Sequence, residues 1–200
     1  MNVPKYPQFF DYNEFVIDEK IGLFKFSNAY KVFNREGEEI GLIQQRVSGF
    51  HKALRVIGDL KKMMPFTLEI LDTNGMVQAT ISRGWTLFLS KISITDSNGV
   101  TIGSIKQKFK LFKPRFIITD QDDQTIAEIN GDWKAWDFTI TDAHAMPIGS
   151  ISKKWNGAMR EIFTSADKYV VSIEESVAED TRKIAIVSTA ITIDMVLKER

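Results

Sequence analysis

Five times along this chain a run of alternating apolar residues leads to one Asn or Asp, then a short turn that often holds Gly, then a second alternating run. The copies occupy residues 30–43, 68–77, 92–105, 116–126 and 138–151, with turn residues Asn34, Asp72, Asp96, Asp120 and Asp142. The last four follow one another at steps of 24, 24 and 22 residues (72 to 96 to 120 to 142). A period of that size marks one supersecondary unit reused around an architecture. The unit reads as a β-hairpin, in which the Asn or Asp side chain folds back onto turn amides and Gly supplies positive φ. Five hairpins give ten strands, and residues 15–19 and 169–174 add one each. Twelve antiparallel strands leave open edges unless the sheet closes on itself. The expectation is a mainly β protein, a closed twelve-stranded antiparallel barrel, with a sandwich carrying a docked helix as the alternative.

A barrel of twelve strands is too wide for its own side chains to fill. The candidate filler lies at the C-terminus, from about Ser176 to Lys198. Residues 184–193 carry no charge, and Ile184, Ala185, Ile186, Val187, Ala190, Ile191 and Ile193 cover every side of a helical wheel. That is the pattern of a fully buried helix. Ser176 with Glu179 fits a capping box, and Lys198 and Arg200 suit the negative C-terminal pole. Propensity argues instead for a strand, since Ile, Val and Thr crowd residues 181–196. A bilayer span is the third option, but it needs roughly 18 or more apolar residues in a row. The wheel and the unfilled lumen together favour a central helix.

Lys+Arg and Asp+Glu both number 26 of 200 residues, so net charge makes no case for bulk nucleic-acid binding. With no cysteine, disulfides, thiol catalysis, cysteine-ligated zinc and palmitoylation are excluded together. Residues 1–13 read as a leader, partly ordered through Phe9, Phe10 and Tyr12, and do not have the form of a signal peptide. Residues 14–200 read as a single domain, and a cytoplasmic protein, peripheral at the inner membrane surface, is the default.

Catalytic constellations are not evident. His51 and His144 are the only histidines and read as solvated loop residues, and Asp122 with Asp123 forms a turn tip. The Gly residues sit in hairpins, where positive φ accounts for them. The chain does not read as an enzyme. One surface run stands out: Lys106, Lys108, Lys110, Lys113 and Arg115 interleave with Phe109 and Phe112 and with no acid. In a strand, Lys106, Lys108 and Lys110 share one face and Phe109 the other. Such a run suits anionic lipid head groups, each cation near the surface contributing on the order of 1 kcal/mol. It also suits single-stranded nucleic acid, or is simply a solvated cationic face over a buried aromatic one. Arg55, Lys61 and Lys62, beside Met63, Met64 and Pro65, form a weaker second cluster.

Residues 149–169 place Lys154, Trp155, Gly157 and Arg160-Glu161 ahead of Phe163, Thr164, Ala166 and Asp167. This resembles the signature of the phospholipid scramblase family, in which a lysine, tryptophan, glycine and Arg-Glu precede Phe-Thr-x-Ala-Asp. Ile193-Asp194 is similar to that family's closing helix, and Gly99, Ile102 and Gly103 to its Gly-x-x-Ile-Gly hairpin. The resemblance runs from Phe15 to the end. It implies the fold of Tubby C-terminal and LURP-one-related domains, a twelve-stranded barrel around a C-terminal hydrophobic helix. It also implies a phospholipid or membrane surface as partner. The departures bear on mechanism: where the family carries a lipidated cysteine cluster, this chain has residues 84–89 without a thiol. In the family's proposed calcium segment Ser165 and Ser176 replace acids, and Asp167 remains as a weak metal candidate. Calcium takes six to eight oxygen ligands, so the expectation is no cofactor.

A helix that fills its own barrel cannot also span a bilayer. The expected function is therefore a scramblase-related, non-enzymatic, membrane-surface lipid-binding module acting through the 106–115 run. A soluble scaffold of the Tubby-like type, binding protein or, less readily, nucleic acid, is the alternative. Calcium-dependent phospholipid scrambling is the further one.

Overall fold

A computed structural model describes residues 8–18, 29–46, 65–85, 91–108, 115–132, 134–154, 168–177 and 180–198. The strands in chain order are β1 (Glu14–Asp18), β2 (Ala29–Phe33), β3 (Glu39–Arg46), β4 (Phe66–Asp72), β5 (Val77–Arg83) and β6 (Lys91–Asp96). They continue as β7 (Thr101–Lys108), β8 (Arg115–Thr119), β9 (Thr125–Asp132), β10 (Asp137–Thr141), β11 (Pro147–Ser152) and β12 (Lys168–Ile173). Each pairs antiparallel with the next, and β12 closes on β1 from Glu14↔Ser172 to Asp18↔Lys168. The barrel is thus a plain up-and-down meander without a free edge, as the hairpin count requires.

The five hairpins share their turn backbone hydrogen bonds, and in four of them the side-chain bonds repeat as well. Oδ1 of Asp72 accepts from the backbone N–H groups of Asn74 and Met76 at 2.8 and 2.9 Å, and Asp96, Asp120 and Asp142 repeat the pattern. In every copy the residue three beyond the turn Asn or Asp has positive φ: Gly37, Gly75, Gly99, Asp123 and Ala145. Each pair then slips register by one residue just past the turn, as between Ile94 and Thr95. The bulged residue is Ile40, Gln78, Ile102, Ile126 or Ile148, and a small residue follows. Bulges of this kind strengthen twist and curvature. At Gly103 the small size is obligatory, because an added Cβ would collide with the Thr119 carbonyl oxygen of the neighbouring strand.

Inside lies α1 (Asp180–Lys198). Every residue from Lys183 to Met195 is buried, most of them completely. Inward-facing Ile43, Leu68, Ile70, Ile81, Ile94, Ile105, Ile118, Ile129 and Ile140 form one core with it. The hydroxyls that a lumen would otherwise strand are turned onto the helix itself. Thr189 donates to the Ala185 carbonyl at 2.7 Å and Thr192 to that of Ser188 at 2.8 Å. Asp194 is fully buried and is not without a partner. Phe9 and Phe10, on the 3-10 turn Gln8–Asp11, are buried against each other and Phe15 at one mouth of the barrel.

The helix begins at Asp180, three residues later than a cap at Ser176 expects. Ser176 instead lies exposed in a turn closed by the Val177 N–H on the Glu174 carbonyl at 3.0 Å. Val177, 3% exposed, is pulled into the core, and that burial outweighs an earlier helix start.

Two pairs of substitutions test this packing. Ile186→Asp removes burial worth about 1.5–3 kcal/mol and inserts a charge, so the domain should unfold. Ser188→Ala removes a buried hydroxyl without a hydrogen-bond partner and should stabilise by about 1 kcal/mol in urea titration. A folded Ile186→Asp protein would place the helix elsewhere. Ala145→Gly relieves a left-handed alanine (φ 62°) and should gain about 0.5–1 kcal/mol, while Gly103→Ala loses more than that. Equal Tm values for these two variants would contradict the hairpin geometry.

Candidate functional site

Alternation puts Ile105 in the lumen and Lys106 and Lys108 on the outer wall of β7. The register sets Lys106 beside Lys91 on one side and Lys108 beside Arg115 on the other. Four cations from three strands therefore share one outer surface. Phe109, Lys110, Phe112 and Lys113, which complete the sequence run, lie outside the described residues, as do Asp167, His51, Arg55, Lys61 and Lys62.

Three of the four cations stand against acids that the sequence does not pair with them. Lys106 Nζ donates to Asp123 Oδ1 at 2.8 Å, and Lys91 Nζ stands 3.8 Å from the same oxygen. That hydrogen bond, then the charges of Lys106 and Lys91, hold the Asp123 carboxyl below its ordinary value. Arg115 grips Glu128 with two parallel contacts, Nε to Oε2 at 2.9 Å and Nη2 to Oε1. The fork lowers the Glu128 pKa against the opposing effect of burial and raises that of the guanidinium. Lys108, exposed at the end of β7, forms no ion pair among the described residues. It is the cation most available to a ligand. The partners are 17 and 13 residues away in sequence (106 to 123, past the whole of β8, and 115 to 128, on the neighbouring strand), so only the barrel register reveals them.

A second concavity went unread in the sequence. A cleft of about 680 Å³ opens beside the β1–β12–β11 junction, lined by Asn13, Glu14, Arg35, Ser150, Ser172 and Glu174, among others. Arg35 Nε lies 3.5 Å from Glu14. Its residues come from both ends of the chain, which barrel closure alone brings together. Ser176, in the proposed calcium segment, also lines it. Among the described residues no three His, Cys, Asp or Glu side chains stand together as a metal-holding group. His144 is an exposed turn residue, as expected.

Many outward residues of the wall are polar, for example Thr67, Glu69, Thr80, Ser82, Ser93 and Thr139, and the outward Val16, Phe33 and Val170 form a small apolar cluster apart from the core. That is the reverse of a lipid-embedded barrel, which is apolar outside. Among the described residues no helix is long and apolar enough to cross a membrane. The geometry defines a closed barrel filled by its own helix, with a largely polar outer wall. Residues 18–200 match the Scramblase family, and the chain belongs to that family. No curated protein and no solved structure matches it. Of the family-like stretch, Gly149–Ser152 lie on β11 and Tyr169 on β12, while residues 155–167 between them lie outside the described set.

Acid titration checks these ion pairs and turns. Asp142 is held below its ordinary value chiefly by the Met146 N–H, helped by His144 and Arg182. Like Asp123 and Glu128, it contributes stability complete above the ordinary carboxylate value and lost as pH falls through the lowered one. Tm should stay level from neutral pH to about 4 and then fall, with a shallower acid limb in Asp142→Asn. Identical acid limbs would contradict the assignment.

Proposed function

We propose that this scramblase-family chain is a non-enzymatic module that binds anionic phospholipid head groups at a membrane surface, on its cytoplasmic face. The contact surface is Lys106, Lys108, Phe109, Lys110, Phe112, Lys113 and Arg115. The observation that carries this reading is the complete burial of α1 from Ile184 to Met195. The most apolar segment of the chain is occupied as a core, so lipid contact falls to the outside of the barrel. A lumen filled in this way offers a lipid no route through the monomer. The ion pairs refine the surface: Lys106 and Arg115 are partly neutralised by Asp123 and Glu128, which leaves Lys108 and its neighbours in sequence to attract phosphate.

The reading requires no cofactor and no calcium. In co-sedimentation, vesicles containing phosphatidylserine should bind the protein and pure phosphatidylcholine vesicles should not. Lys108→Glu with Lys110→Glu should weaken binding, each reversal acting against roughly 1 kcal/mol per cation. Calcium and chelator should give the same result. Equal binding by wild type and variant would remove this surface, and a calcium requirement would favour calcium-dependent scrambling.

A second reading has its own observation. Met76, Val100 and Met146, at the same position of three hairpin turns, are 65%, 53% and 61% exposed. Apolar tips repeated on one rim favour a soluble scaffold that docks a protein partner. Loss of a partner on Met76→Ser with Met146→Ser, with vesicle binding unchanged, would support it.

A further inference from the structure

The chain is neutral in sum, but its exposed charges are sorted along the barrel axis. At the rim of tight turns stand Asp11, Glu36, Glu38, Asp122, Glu174 and Glu175, all exposed, with the cation Arg35 among them. At the opposite rim, where β3, β7, β9 and β11 end, stand Arg46, Lys108, Lys134, Lys153 and Lys154. Acids at that rim are fewer: Asp132 is exposed at the end of β9, and Asp137 is bound by Lys154 at 2.7 Å.

The helix is aligned with this separation. Asp142 in a tight turn feels the charge of Arg182 at the start of α1. The positive pole of the helix thus lies at the acidic rim and its negative pole toward the basic one.

The basic rim also carries two tryptophans. Trp85 is 59% exposed just past the end of β5. Trp136 sits in the β9–β10 turn with φ 49°, a conformation bulky residues rarely adopt. It is held there by Tyr169 at 5.1 Å between ring centres and capped by Lys153 at 4.7 Å. Tryptophan with cations is the pairing that suits the boundary between head groups and acyl chains.

The geometry points to an end-on orientation: the barrel stands with its Trp85–Trp136 rim against an anionic bilayer and its acidic turn rim away from it. This deepens the lipid-binding reading and rests on it. Screening decides between orientations. Strands of five to eight residues are about 17–26 Å long and, tilted as barrel strands are, separate the rims by about 13–20 Å along the axis, whereas the Debye length at physiological salt is about 8 Å. End-on, the membrane feels the cations and hardly the acids. Side-on, both signs lie within reach and cancel.

The absence of native cysteine allows one environment-sensitive label per protein. Labels on Ala135→Cys, Thr139→Cys and Asn98→Cys report the basic rim, the wall and the turn rim. With phosphatidylserine vesicles, the label on Ala135→Cys should shift to the blue and brighten severalfold while the other two stay unchanged. In the same assay Trp85→Ala should weaken binding without altering Tm. Co-sedimentation with a response from the wall or turn label would overturn the orientation and leave lipid binding standing. No co-sedimentation of wild type would overturn both. A response to single-stranded DNA but not to vesicles would reassign the rim to nucleic acid and overturn the proposal.

Discussion

The packing of α1 against the inner wall of the barrel is the contact on which everything else depends. A closed twelve-stranded sheet without a filler would enclose a wide apolar void, and a helix as apolar as residues 184–193 would have no stable place in water. Each solves the other's problem. Small side chains keep the helix slim: Ala185, Ser188, Thr189, Ala190 and Thr192 are interspersed with isoleucines and buried with the wall's large residues in one core. Hydroxyls turned onto helix carbonyls let β-branched threonine serve as an apolar spacer in a fully dry site. Because those residues are chosen for the lumen, intrinsic preference for a strand is overridden by packing.

The wall reaches the curvature this requires by repeating one local device. An acidic or amide side chain closes the turn, a left-handed residue reverses the chain, and a bulge followed by a small residue bends the pair inward. The device also places carboxylates at a single rim. Since the longer connections all join strands at the other rim, where β3, β7, β8, β9 and β11 present their cations, the charge separation along the axis follows from the topology. A neutral composition thereby produces a strongly polar object. The end-on orientation proposed above would use one end of a chain that is neutral as a whole.

Much of this was legible in the sequence because it is local or periodic. The turn residues Asn34, Asp72, Asp96, Asp120 and Asp142 announce the hairpins. The strand count forces closure, and the uniform wheel of residues 184–193 supplies the filler. What escaped reading depends on register. The pairing of Lys106 with Asp123 and of Arg115 with Glu128 arises across strand boundaries, so a run that looks like five available cations contains at least two that are already engaged. The cleft beside Glu14 and Ser172 exists only because β1 meets β12. The helix start was misplaced because Ser176 has the chemistry of a cap, while the burial of Val177 in the core fixes a turn there instead. The left-handed Trp136 has no local sequence signal, its conformation being imposed by Tyr169 and Lys153 from elsewhere in the barrel.

Native-state hydrogen exchange on α1 tests the central contact most directly. If the helix is the core of a closed barrel, the amides of residues 184–195 can exchange only when the whole domain opens, and their exchange free energies should equal the global unfolding free energy from denaturant titration. They should also be unchanged by anionic vesicles. Exchange of these amides through a partial opening, well below the global value, or their selective release on adding vesicles, would show that the helix leaves the lumen and would contradict the account.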